Sequence, residues 1–109
     1  MEVKDAIALA GSFPETELKP HFEKLSFRVR NKIFATLSET DGQMVVKLTP
    51  EQQPDWVARI PALQPVAGGW GRRGWSTIDL AQIRPEVLRE VLTTAYCNVA
   101  PKSLSGRYT

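Results

Sequence analysis

The run Ser26-Phe27-Arg28-Val29-Arg30-Asn31-Lys32-Ile33-Phe34-Ala35-Thr36-Leu37, continued by Gln43-Met44-Val45-Val46-Lys47-Leu48, decides the fold. It is rich in Phe, Val and Ile and is cut by turn residues, the pattern of strands over 26–29, 32–37 and 43–48. Arg30-Asn31 reads as a tight turn because Asn adopts positive φ at low cost. Asp41-Gly42 is a stronger hairpin signal for the same reason. The three strands therefore form an antiparallel meander. Strict alternation puts Ile33, Ala35 and Leu37 on one face, opposite Met44, Val46 and Leu48. It sends Phe34 and Val45 to the other face, where they need separate cover.

Helices flank this meander. Val3, Ala6, Ile7 and Ala10 fall on one helical face, and Gly11 suits a helix end. Pro14-Glu15-Thr16-Glu17 reads as a short turn, and Pro20 interrupts the segment after it. Thr49-Pro50-Glu51-Gln52 has the layout of a capping box with Pro at the first helical position, predicting helix over about 50–60. Pro61 and Pro65 bracket an irregular stretch. Gly68-Gly69-Trp70-Gly71-Arg72-Arg73-Gly74 is a glycine-rich loop leading into a strand over 75–80. Pro85 opens a last helix, with Val87, Leu88, Val91, Leu92, Ala95 and Tyr96 as its apolar stripe. Residues 1–100 read as one α+β domain and 101–109 as a flexible polar tail.

Composition narrows the function classes. The chain has 109 residues, and its 42% hydrophobic content supplies a core. No apolar run approaches the ~20 residues that cross a bilayer, and the N-terminus lacks the layout of a signal peptide. One cysteine, Cys97, excludes an internal disulfide framework and a multi-cysteine metal cage. A cytoplasmic protein with no membrane association is expected. The formal net charge is +2, but residues 1–55 carry a net of −2 and residues 56–109 a net of +4. Any anion site must come from local clustering.

Two clusters qualify. Arg28, Arg30 and Lys32 alternate around the tip of the first hairpin and would form a row of cations for phosphate, or a solvated, aggregation-resistant edge. Arg72 and Arg73 follow Trp70, whose ring would stack on a base or pack as core. The glycine loop is no nucleotide-hydrolysing P-loop: it lacks Lys-Ser/Thr after the glycines and leads into a strand rather than a helix. The second hairpin, tipped by Glu39 and Asp41, would repel phosphate. His21 is the only imidazole and has no recognisable nucleophile beside it, so no enzyme activity is expected. No spacing of His, Cys and carboxylates suggests a metal, and no cofactor is expected. Cys97 borders the apolar stripe of the last helix and reads as a structural thiol.

The ordered set Pro20-His21-Phe22, Ser26-Phe27-Arg28-Val29, Lys32-Ile33-Phe34-Ala35, Arg72-Arg73-Gly74-Trp75 and Ala95-Tyr96 resembles the MmcQ/YjbR family of small bacterial proteins. The likeness covers nearly the whole chain. Ala95 departs from it, since the family tends to have Ser before the Tyr. The resemblance implies the order helix, three strands, helix, two strands, helix, with Gln64–Ala67 the only room for the first strand of the later pair. That order is similar to type III secretion chaperones. The resemblance also implies DNA binding through two winglike projections of the sheet. The reading is weak, largely sequence-independent binding of double-stranded DNA through Arg28, Arg30, Lys32, Trp70, Arg72 and Arg73. The alternative is a non-enzymatic, chaperone-like module with a protein partner.

Overall fold

In the computed structural model, which describes residues 1–108, the run from Ser26 to Leu48 forms paired strands. Helix α1 (Val3–Gly11) precedes β1 (Thr16–His21), β2 (Lys24–Val29), β3 (Lys32–Ser38) and β4 (Gln43–Lys47). Helix α2 (Gln53–Arg59), β5 (Leu63–Pro65), the helical turn α3 (Gly69–Arg72) and β6 (Trp75–Asp79) come next. Helix α4 (Pro85–Val99) and the turn α5 (Lys102–Ser105) complete an α+β fold. All six strands join one antiparallel sheet in the order β1-β2-β3-β4-β6-β5.

The turn chemistry acts as expected. Arg30 (φ 50°) and Asn31 (φ 69°) turn β2 into β3, and Gly42 (φ 64°) turns β3 into β4. Positive φ at both central residues gives a hairpin the twist its strands require. At α2 the Thr49 amide donates to Gln52 Oε1 (2.9 Å), and the Gln52 amide donates to Thr49 Oγ1 (3.1 Å). These reciprocal bonds satisfy two amides that a helix start leaves without partners. The helix itself begins later than expected, at Gln53.

Four features depart from the sequence reading. First, the meander has four strands, because Thr16–His21 pairs with β2. Pro20 is accommodated because β1 is an edge strand, where a missing amide costs no ladder bond. Second, the strand before Trp75, for which only Gln64–Ala67 left room, lies slightly earlier, as β5 at Leu63–Pro65. Third, the β2–β3 register shifts between Phe27 and Arg28. This bulge sets two β3 residues against one on β2 and breaks the alternation. Phe34 therefore joins Ala35 and Leu37 in the core, while Ile33 shares the opposite face with Thr36 and Val45. Fourth, residues 101–108, read as a tail, carry α5 and a further turn at Gly106–Tyr108, with Leu104 buried. Thr109, the end of that tail, lies outside the described residues.

The core lies between one sheet face and helices α1 and α4. Helix α4 crosses β3 and β4 and contributes Leu88, Val91, Leu92, Ala95 and Tyr96, all fully buried. Tyr96 packs edge-on against Phe34 with centroids 5.5 Å apart and stacks on Phe13 at 5.0 Å. Burying a large apolar side chain stabilises by about 1.5–3 kcal/mol, so the bulge that turns Phe34 inward contributes substantially to this layer. With both long helices on one side, the other sheet face stays open.

Candidate nucleic-acid interface

The strand register assembles the open face. Ser26 pairs with Thr36, Thr36 with Val45 and Val45 with Thr77, forming a row across four strands. The neighbouring row runs through Lys47 and Trp75. A cavity of about 370 Å³ lies on this face. Ile33, Thr36 and Val45 form its floor; Val66, Trp70 and Trp75 stand at one end; His21 and Lys24, from the β1–β2 hairpin, stand at the other.

The glycine-rich segment positions the tryptophan end. A Cβ on Gly71 would overlap the carbonyl oxygen of Val66, and one on Gly74 (φ 106°) would overlap that of Leu48. Only glycine permits these approaches. Gln53 Nε2 donates to the Trp75 carbonyl (3.2 Å) and to Ser76 Oγ (2.9 Å), and Ser76 Oγ donates to the Gly74 carbonyl (3.0 Å). Trp75 thus starts from a bonded frame. Trp70 meets it edge-on, with centroids 6.1 Å apart and planes at 77°. Trp70 remains 59% exposed. Arg73 lies 5.4 Å over the Trp70 ring and Lys47 lies 5.7 Å over the Trp75 ring. One face of each ring therefore meets a cation attracted by the ring's quadrupole.

The six residues singled out from sequence do not form one surface. Arg28 lies on the open face, its Nε donating to Ser26 Oγ (3.0 Å), which in turn donates to the Lys19 carbonyl (2.9 Å). Arg30 turns away to Glu15, with Nε 2.9 Å from Oε1. That hydrogen bond holds the Glu15 carboxyl below its ordinary range and raises the Arg30 guanidinium further. Lys32 pairs across from Val29, on the helix side, beside Asn98 and Pro101 at the end of α4. The left-handed turn between Val29 and Lys32 breaks the row expected from simple alternation. Trp70, Arg72 and Arg73 do stay together.

Among the described residues, Lys24, Arg28, Lys47, Arg72 and Arg73 make no ion pair, whereas Lys19 and Arg30 do. The open face thus keeps cations whose charge is available to an anion. Lys47, Trp75, Ile33 and Val45 escaped the sequence reading as site residues. The period-two pattern holds Lys47 and Trp75, but only the β4–β6 pairing brings them side by side. No group of three His, Cys, Asp or Glu side chains converges on a metal-sized site among the described residues. Cys97 is half-buried with Sγ 3.9 Å from the Ser105 carbonyl, and burial raises its pKa.

The YjbR family model matches residues 11–98, the end of α1 through most of α4. The chain belongs to the YjbR family. The match takes in the whole sheet and its open face. A Deinococcus radiodurans protein carrying the domain DUF419 has a similar crystal structure, with a TM-score of 0.76 and 21% identity over 97% of this chain and 86% of that one. A Pseudomonas syringae protein is similar at a TM-score of 0.68 and 18% identity, over 87% of this chain and 96% of that one. These likenesses extend the YjbR fold beyond the reach of close sequence identity. No curated protein matches the chain.

Proposed function

We propose that this YjbR-family protein binds nucleic acid weakly and largely without regard to sequence, through the open face of its sheet. One observation carries the reading: Trp70 and Trp75 share an uncovered face, each with a cation over its ring, and Lys24 stands across the cavity from them. Phosphates are drawn by such cations because neutralising them releases condensed counterions. The exposed Trp70 ring offers a stacking surface to any base, which adds affinity without sequence preference. Arg28 and Arg72 extend the charge; Arg30 and Lys32 fall outside the interface. A binding role rather than catalysis is supported by the cavity lining, where His21 and Lys24 are the titratable side chains.

A chaperone-like role would use an exposed strand edge to add a partner's strand. The β1 edge is poorly made for that. Pro20 lacks a donor there, and Glu17, Lys19 and His21 are exposed around it. The test of the nucleic-acid reading is a binding titration with an oligonucleotide duplex at several salt concentrations. About three to five phosphate contacts give a log–log slope near −3 to −4.5. Undetectable binding of both duplex and single-stranded oligonucleotide at ~50 mM salt and high micromolar protein would remove the reading and leave the protein-interaction role ahead.

A further inference from the structure

We infer that the cavity on the open face takes an unpaired base, so that single-stranded nucleic acid binds in preference to the duplex. The inference rests on the nucleic-acid reading above and concerns what fills the site. The cationic side chains stand around an apolar floor made by Ile33 and Val45. A duplex turns phosphates outward and keeps its bases stacked inside. It would meet Lys24 and Arg73 but leave that floor unfilled. A single strand offers the same phosphates and, in addition, flat apolar rings free to turn into a recess. The cavity, about 370 Å³, lies toward the small end of sites that hold one compact ligand. The near-perpendicular Trp70 and Trp75 rings make a corner in which a base stacks on one ring and meets the edge of the other.

The hairpin at the opposite end supplies an independent observation. Phe22 is 95% exposed and holds a left-handed backbone (φ 59°). A bulky side chain in that conformation is strained, and its exposure loses the benefit of burial. Within the protein its ring meets that of His21 edge-on, at 4.9 Å. His21 lines the cavity, so Phe22 stands just outside the rim. A base adjacent to the one in the cavity would stack there, giving the exposed ring a partner. Lys24 lies on the same hairpin, in reach of the intervening phosphate.

The test uses the full chain and three probes at ~100 mM salt: a labelled strand of ~20 thymidine nucleotides, its duplex with the complement, which stays paired at this salt, and thymidine monophosphate. The expected result is single-strand binding about tenfold or more tighter than duplex binding, with quenching of tryptophan fluorescence by the strand alone. Trp70→Ala lowers single-strand affinity about tenfold, the scale of one stacked base, and lowers duplex affinity by less. Phe22→Ala lowers single-strand affinity several-fold. Both side chains are exposed, so the fold survives, which circular dichroism checks. Duplex binding as tight as single-strand binding, or Trp70→Ala without effect on the strand, would overturn the cavity inference while nucleic-acid binding stands. Monophosphate competing as well as the strand would overturn the strand as occupant. Binding to none of the probes, even at ~50 mM salt, removes both readings.

Discussion

The Tyr96 hydroxyl donates a 2.7 Å hydrogen bond to the carbonyl of Pro14. It ties the last long helix to the connection between α1 and β1, and the phenol ring fills the core between Phe13 and Phe34. Tyr96→Phe keeps the ring and leaves the Pro14 carbonyl without this donor. The expected loss is about 1–2 kcal/mol, read as a lower denaturation midpoint at unchanged m-value. Burial, with Tyr108 a smaller contributor, raises the Tyr96 pKa above its ordinary 10.0. The folded state therefore holds the phenolic proton longer than the unfolded chain. This contribution is complete below the unfolded pKa and is lost as pH rises from there through the folded value. Tyr96→Phe should lack this alkaline loss. An identical pH dependence in both proteins would refute the assignment.

The glycine-rich segment predicts a ranking of substitutions. Gly74→Ala forces a Cβ into the Leu48 carbonyl at φ 106°, and backbone on both sides leaves little room to yield. A loss of about 2–3 kcal/mol or more is expected. Gly42→Ala, at φ 64° with open space around it, should cost about 1 kcal/mol. Thermal melts of the two variants check the order, and equal losses would contradict the close approach.

How much of this was legible in the sequence depends on the range of the interaction. The turns at Arg30-Asn31 and Asp41-Gly42, the Thr49–Gln52 capping box and the apolar stripe of α4 are local, and local rules found them. Strand β1 escaped because it lies at an edge, where neither face is buried enough to impose alternation on Glu17-Leu18-Lys19-Pro20. The bulge opposite Phe27 left no mark in composition, yet it exchanged the faces of Ile33 and Phe34. The final turns rest on few anchors, with Leu104 buried and Tyr108 packed against Tyr96 at 5.8 Å. Of the site, Trp70, Arg72 and Arg73 were visible as neighbours in sequence. The surface joining Trp75 to Lys47 and Val45 arises only when β6 pairs with β4, a long-range event that no local pattern announces.

Cys97 should behave as a structural thiol. Burial raises its pKa, so little thiolate exists near neutral pH. Alkylation at pH 7 is expected to be slower than for free cysteine. Cys97→Ala removes a small packed group and should cost about 1 kcal/mol with nucleic-acid affinity unchanged. Rapid modification accompanied by loss of binding would place the thiol in the site instead.

The proposed interface predicts which cations set the salt dependence. Arg73 lies over Trp70, and Arg72 is exposed on the adjoining turn α3. If each meets one phosphate, the paired change Arg72→Ala with Arg73→Ala flattens the duplex log–log slope by about 2 units. Arg30 and Lys32 provide the matched comparison. Arg30 is committed to Glu15, and Lys32 lies on the helix side of the sheet beside Asn98. Removing both subtracts the same formal charge from the protein but no contact from the open face. Arg30→Ala with Lys32→Ala should therefore leave the slope nearly unchanged. Long-range attraction alone would make the two double variants alike, since it responds to net charge and not to position. Local phosphate contacts make them differ. A slope that falls only when Arg30 and Lys32 are removed would move the interface to the tip of the β2–β3 hairpin and away from the tryptophans.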